Sequence, residues 1–393
     1  MTQKTDYMTL YRDGLFNDTL PFWIPRITDK ECGGYLHALD RDGALLSTDK
    51  SVWIHARVVW MLSTLYSISG PRQEWLDVAR SGIEFLANHC FDTDGRMFFF
   101  VTREGKPLRK RRYVFSEAFT AMAFAAYSVA SKDQSWAKKA LDLFKFLLRY
   151  HTTPGLLPPK VLHETRPMKG LAMEMMLILT AQELRKTGDN PLYTSVIDNS
   201  IDQIERHFLK PEFRCLLENV GPNGEFYDTF EGRLVNPGHS LEAGWFILEE
   251  ARVRNDRHLV DLGTRIIDWS FEIGLDREFG GILYFRDAKG LPPTEYWHDM
   301  KFWWPHNEAI IATLMAYRLT QDPKYLKWHE ATHEWAYRYF PDPEFGEWFG
   351  YLHRDGRIST PVKGTMWKSM FHLPRMQLYG WKLLEEIGDV KET

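Results

Sequence analysis

Ser116-Glu117-Ala118-Phe119-Thr120-Ala121-Met122-Ala123-Phe124-Ala125-Ala126-Tyr127-Ser128-Val129-Ala130-Ser131 and, a few residues on, Trp136-Ala137-Lys138-Lys139-Ala140-Leu141-Asp142-Leu143-Phe144-Lys145-Phe146-Leu147-Leu148-Arg149-Tyr150 read as two helices of different kinds. The first is apolar nearly all round, which implies burial on every side. The second carries charge along one face, which implies one side on a core and the other in water. A buried helix followed by an amphipathic partner is one unit of a two-layered helical structure.

The unit repeats along the chain. Apolar and charge periodicity place helices near 4–19, 51–69, 73–90, 116–131, 134–151, 167–187, 192–209, 239–255, 257–275, 303–319, 323–340 and 367–386. Turns with aromatic flanks recur roughly every 60 residues, at Cys32-Gly33-Gly34-Tyr35, Asp94-Gly95-Arg96, His151–Gly155, Glu212–Cys215, Glu278–Gly281 and Glu344–Glu347. Second turns follow several of them, at Asp40–Gly43, Arg103–Gly105, Pro222–Gly224, Asp287–Gly290 and Arg354–Gly356. A short apolar run between two turns predicts a β-hairpin. Six buried helices alternating with six amphipathic ones predict an all-α fold. It is an (α/α)6 barrel, a six-hairpin toroid with short β-hairpins at its mouth, formed as one domain over 1–393. In such a ring the inner helices run parallel and all six inner N-termini open on one end.

Composition narrows the partners. A nearly balanced charge, −4 net over 393 residues, suggests no nucleic-acid or membrane-surface partner. Cys32, Cys90 and Cys215 fit no metal-ligand spacing and cannot all pair, which points to a reducing cytoplasm. Met1–Tyr7 lacks the apolar core of a signal peptide, and no run reaches the ~18 apolar residues of a membrane span. The 15 Trp, 17 Tyr and 25 Phe fit either a large core or a cavity whose rings stack on sugar C–H faces.

Geometry selects the candidates. Residues within about a turn of each inner N-terminus should face one cavity: Arg57, Glu117, Met168 with Lys169, His239 with Glu242, Trp304 with Glu308, and His372 with Arg375, with Trp53 and Trp303 nearby. Histidines titrate near neutrality and suit proton transfer. Free N–H groups and dipole ends at the helix starts favour anionic oxygen. Two bases on opposite faces of a planar carbanion would invert a stereocentre. Glu242 with Glu308 would instead suit glycoside hydrolysis. Most of the 14 histidines have ordinary packing or surface roles, and His89, His207 and His258 fall on outer helices or loops. His329-Glu330-Ala331-Thr332-His333 matches the H-E-x-x-H zinc pattern, but it lies on an amphipathic outer helix that faces away from the cavity, so no metal is expected. Neither a phosphate-cradling G-x-x-x-x-G-K-[ST] nor a G-x-G-x-x-G occurs.

Glu231-Gly232-Arg233-Leu234-Val235-Asn236-Pro237-Gly238-His239-Ser240-Leu241-Glu242-Ala243 resembles the signature of the N-acylglucosamine 2-epimerase (renin-binding protein) family. Arg166–Lys169, Asp342–Tyr351 and Trp367–Arg375 are similar to it as well, and the resemblance runs from Leu20 to the last helix. It implies an (α/α)6 barrel, a homodimer, and interconversion of N-acetylglucosamine and N-acetylmannosamine, a step of sialic acid metabolism. It implies catalytic roles for His239 and His372, an essential arginine in Arg57 and an acidic partner in Glu308, and Glu242 and Arg375 also fall on family positions. These four, with Trp304 from the cavity inventory, are the expected substrate contacts. Relatives acting on free sugars carry a further histidine on the third inner helix. Pro167–Lys186 has none, which favours the N-acyl branch. The resemblance implies no cofactor for the chemistry, with ATP as an activator that is not consumed. Lys160 and Arg166 in the loop Leu157–Arg166 are candidates for binding it. Epimerases of mannose, glucose or cellobiose, glycoside hydrolases and non-catalytic binding proteins are the alternatives.

Overall fold

The computed structural model describes residues 6–392, with side chains through Gly388. Residues 4 and 5 of the expected first helix lie outside this range. The helices alternate between two layers. The inner layer is α3 (Val52–Ile68), α5 (Phe115–Ser131), α7 (Leu171–Arg185), α9 (Pro237–Arg254), α11 (Trp303–Thr320) and α13 (His372–Glu392). The outer layer is α1 (Tyr7–Gly14) with α2 (Leu20–Ile27), then α4 (Gln73–His89), α6 (Gln134–Thr152), α8 (Pro191–Gln203), α10 (Arg257–Gly274) and α12 (Pro323–Tyr339). Each inner helix packs on the next, and α13 closes the ring against α3. The fold is the expected (α/α)6 barrel.

Burial follows the composition of each layer. Of the 17 residues of α5, Phe115, Val129 and Ser131 alone are not fully buried, whereas α6 buries only Ala140, Leu143, Phe144 and Leu147. Helices α9 and α10 pack closely. There Gly244 and Gly263 face each other, and a Cβ on either would come within 3.2 Å of the other's carbonyl oxygen. No helix among the described residues is long and apolar enough to cross a membrane.

Two expectations need correction. The first outer helix does not stop at 19. A π-helical turn at Leu15–Thr19 carries it into α2. Pro21 lies just past that turn, in the first turn of α2. The recurrent turn forms a small hairpin five times, closed by Thr28 on Tyr35, Phe91 on Met97, Leu209–Lys210 on Cys215–Leu216, Leu275 on Ile282, and Pro341 on Trp348. The sixth, at His151–Gly155, forms none, because α6 runs on to Thr152 and leads straight into a loop.

The hairpins lock the mouth. Two-residue strands before inner helices pair with the hairpin of the following repeat: Lys50–Ser51 with Phe100–Val101, Lys169–Gly170 with Asn219–Val220, Leu234–Val235 with Arg286–Asp287, and Lys301–Phe302 with Tyr351–Leu352. Side chains in the first turn of inner helices hold the turn behind them. His55 Nε2 accepts the Tyr35 N–H at 2.7 Å and His306 Nε2 accepts the Ile282 N–H at 2.9 Å.

Buried ion clusters tie repeat to repeat. Asp29 meets Lys50 and Arg103, Asp276 meets Lys301 and Arg354, and Asp342 meets Lys363 and Arg41. The last of these joins the sixth repeat to the first. The side chains of Lys50, Lys301 and Lys363 are wholly buried. Each lysine also donates to a turn carbonyl, of Gly33, Gly280 and Gly346 respectively.

Candidate active site

The six inner N-termini converge on a cavity of about 650 Å³, a size suited to a sugar or another small ligand. Its lining includes Arg57, Glu242, Trp304, Arg375, His239 and His372, with Trp53 and Trp303 beside them. Glu308 lies directly behind this surface and is fully buried.

His239 is in the first turn of α9. Asn236 caps that helix, its side chain accepting the His239 backbone N–H at 3.2 Å. The cap and Pro237 fix where the helix begins and so aim the imidazole. Glu218 receives the ring at Nδ1, 3.0 Å from both carboxylate oxygens. Sequence reasoning missed Glu218. It stands in the segment after the strand Cys215–Leu216, on no helix, so helical periodicity gave no reason to place it beside His239.

His372 opens α13. Its Nδ1 lies 2.8 Å from Glu308 Oε1. Trp245 Nε1 donates to the other Glu308 oxygen at 2.9 Å. Arg375 Nη2 reaches Glu308 Oε1 at 2.6 Å and Glu242 Oε1 at 2.9 Å. A proton on each Nδ1 satisfies these bonds, and no protein group among the described residues bonds either Nε2. Both imidazoles lean on Trp304, with ring centroids 5.2 Å away for His239 and 5.8 Å for His372.

The two histidines are tuned in opposite directions. Burial acts to lower His239, but the Glu218 carboxylate outweighs it, and Glu242 adds to the pull, so the imidazolium is favoured. Burial pushes His372 down to about 3; Arg375 and Arg57 add to this and offset Glu308. Burial also opposes charge on Glu308, yet Arg375 and His372 hold it well below the usual carboxylate range. Glu242 is raised, first by burial and then by the nearby Glu308 charge. Arg57 lies over Phe119 and Phe371, 4.3 and 5.0 Å from their ring centroids, and its Nε has no hydrogen-bond partner among the described residues. Burial lowers it to about 10, so it stays cationic at neutral pH. The cavity thus offers an imidazole biased toward its charged form, one held neutral, and a cationic guanidinium.

Some candidates fall elsewhere. Glu117 does not face the cavity. It is fully buried, and Oε1 takes Arg96 Nε at 2.6 Å and the Met97 N–H at 2.9 Å, the turn-locking job of His55 and His306. Lys169 turns to the outer layer, against Gln203 and His207. Lys160 and Arg166 are exposed. His329 and His333 face neither solvent nor the cavity. Tyr11 Oη lies 2.8 Å from His329 Nε2 and 2.9 Å from His333 Nδ1, so the pair anchors the first helix to α12. Glu242, Glu308 and His372 bring three possible metal-ligand atoms within 4.8 Å of one another. The Arg375 guanidinium is already bonded to both carboxylates of that trio and neutralises the charge a cation would need.

The model of the N-acylglucosamine 2-epimerase (GlcNAc 2-epimerase) family matches residues 34–374. N-acylglucosamine 2-epimerase of Mus musculus is 35% identical over 91% of this chain and 87% of its own length. The Homo sapiens protein of the same name is 33% identical over 90% and 84%. Among solved structures, cellobiose 2-epimerase from Bacillus thermoamylovorans B4167 superposes with a TM-score of 0.85 at 22% identity, covering 96% of this chain and 99% of that one. A D-mannose isomerase superposes at 0.83 with 15% identity, covering 98% and 100%; both share the fold. The chain belongs to the N-acylglucosamine 2-epimerase family, a family of carbohydrate isomerases.

Proposed function

We propose that this epimerase interconverts N-acetyl-D-glucosamine and N-acetyl-D-mannosamine by moving a proton at C2 of the open-chain sugar between two histidines. The observation that carries this reading is the pair of imidazoles, each held at Nδ1 by its own carboxylate and both packed on Trp304 at one cavity. Similarity to N-acylglucosamine 2-epimerases over nine-tenths of the chain supports the substrate class.

In the open form the C1 carbonyl acidifies the C2 hydrogen. Neutral His372 takes that proton at Nε2; the C2–H electron pair becomes a C1=C2 double bond, and the carbonyl π pair moves onto the C1 oxygen as an enolate. Arg57 and the inner-helix N-termini stabilise the oxygen charge as it develops. Protonated His239 then delivers a proton from Nε2 to the opposite face of C2, and the ring closes. The reverse direction runs through the same groups with their protonation exchanged. Glu242, raised by burial and Glu308, exchanges protons with the ring oxygen or a hydroxyl during opening and closing. Glycoside hydrolysis fits less well. Glu308 is fully buried behind His372, and it shares one guanidinium nitrogen with Glu242, so the two carboxylates do not flank a bond. The proposal extends to a homodimer activated by ATP, checked by assaying with and without the nucleotide and by sedimentation.

The test is turnover in deuterated water on N-acetylmannosamine, with mannose, glucose and cellobiose alongside. Product carrying deuterium at C2 is the expected result, and product epimerised without solvent label would rule the mechanism out. His239→Ala and His372→Ala should each abolish epimerisation while leaving the fold intact. Near-full turnover in either variant would remove that histidine from the reaction.

A further inference from the structure

We propose that the apolar floor formed by Met175, Met176, Leu179 and Phe246 is the subsite for the acyl group of a 2-acylamino sugar, and that Leu179 sets the acyl length accepted. The inference rests on the substrate class proposed above.

The acyl nitrogen is bonded to C2, the carbon that His239 and His372 serve. The acyl group therefore lies within a few bonds of both imidazoles. The charged groups and imidazoles lining the cavity come from α3, α9 and α13; α5 and α11 line it with aromatic rings, and α7 contributes only the aliphatic Ala172, Met175, Met176 and Leu179. A sugar hydroxyl pressed against that wall would lose its hydrogen bonds to water and gain none. A methyl or methylene placed there leaves water for an apolar surface. The floor begins at the reacting end, because Phe246 stands one turn below Glu242 on the same face of α9.

A second cavity, of about 570 Å³, lies at the opposite end of the ring, among the C-terminal turns of inner helices. Leu179 borders both cavities. The consecutive residues Trp245 and Phe246 face opposite ones, Phe246 the first and Trp245 the second. Gln182 Nε2 donates to the Phe246 carbonyl at 3.0 Å and fixes α7 to α9 at this level. Leu179 is thus a partition one side chain thick, with space beyond it.

The experiment measures kcat/KM for glucosamines carrying N-acetyl, N-propanoyl, N-butanoyl and N-hexanoyl groups, with wild type, Leu179→Ala and Leu179→Phe. Each variant is scored by the ratio of a longer substrate to its own N-acetyl value, which cancels losses in folded fraction. Wild type should fall at least about tenfold from N-acetyl to N-butanoyl, since each misplaced methylene costs that much or more. Leu179→Ala should bring N-butanoyl and N-hexanoyl to within about threefold of N-acetyl, and Leu179→Phe should make N-propanoyl poorer than in wild type. Ratios that stay the same in both variants, or a wild type indifferent to length, would overturn the subsite alone. A wild type that epimerises free hexoses but no N-acylated sugar of any length would overturn the substrate class instead.

Discussion

Arg375 Nη2 lies 2.6 Å from Glu308 Oε1, the oxygen that also faces His372 Nδ1. The carboxylate that orients His372 therefore shares its charge with a guanidinium, and its pull on the imidazole does not overcome burial. Glu218 pairs with His239 and, among the described residues, with no lysine or arginine. Two similar carboxylate–histidine pairs thus differ in charge by one guanidinium.

Glu218→Gln tests the positioning of His239. The carboxylate raises His239 against burial, so its removal leaves burial dominant and the pKa falls. When His239 is the acid, kcat/KM declines as pH rises through that pKa, and the alkaline limb should move to lower pH. Activity should drop about 10- to 100-fold, part of the ~10²–10⁴ that positioned proton transfer contributes. A pH–rate profile checks both, and an unmoved alkaline limb would detach Glu218 from His239.

Arg375→Met should act oppositely on His372. Removing the adjacent cation lets Glu308 raise the imidazole from about 3. The acid limb of the direction that uses His372 as base should then enter the measurable range. Glu242 and Glu308 would also be left buried without their counter-ion, at a cost of about 3–5 kcal/mol. Ring NMR titration of His372 and a denaturant melt separate the two effects.

Much of this was legible in the sequence. The all-round apolar character of Ser116–Ser131 and the charged face of Trp136–Tyr150 fixed inner and outer layers, because burial acts on every residue of a helix. His239 and His372 were legible because each opens an inner helix. Glu218 was not, nor the turn-locking work of Glu117, because their partners are set by how a hairpin folds back. The Asp–Lys–Arg clusters were equally hidden, each drawing one member from the next repeat.

Asp342→Asn tests those clusters. Burial opposes its charge, but Arg41 and Lys363, with a backbone N–H, hold Asp342 well below its ordinary value of 3.8. A depressed carboxylate contributes stability that is fully present above pH ~4 and is lost as pH falls through the folded-state pKa. The variant should lose about 3–5 kcal/mol at pH 7, because Lys363 is left buried without a full counter-charge. Its stability should also depend less steeply on pH below 4, as thermal melts across that range would show. An unchanged melt at pH 7 would make the cluster incidental.

Tyr11→Phe removes the hydroxyl shared by His329 and His333. Two buried imidazole nitrogens then lose their partner, at about 1–3 kcal/mol each. The melting temperature should fall while kcat holds, since none of these groups lines the catalytic cavity. A kcat that falls with the melting temperature would tie this anchor to the chemistry.

Arg41, near the start of the chain, is held by Asp342, near its end. His372 lies later still, on the helix that completes the inner ring. A growing polypeptide therefore leaves the ribosome with His239 and Glu218 already in the chain, yet has no second base until α13 emerges. Truncated or half-synthesised copies would be catalytically silent, and activity in a cell lysate should count finished rings alone.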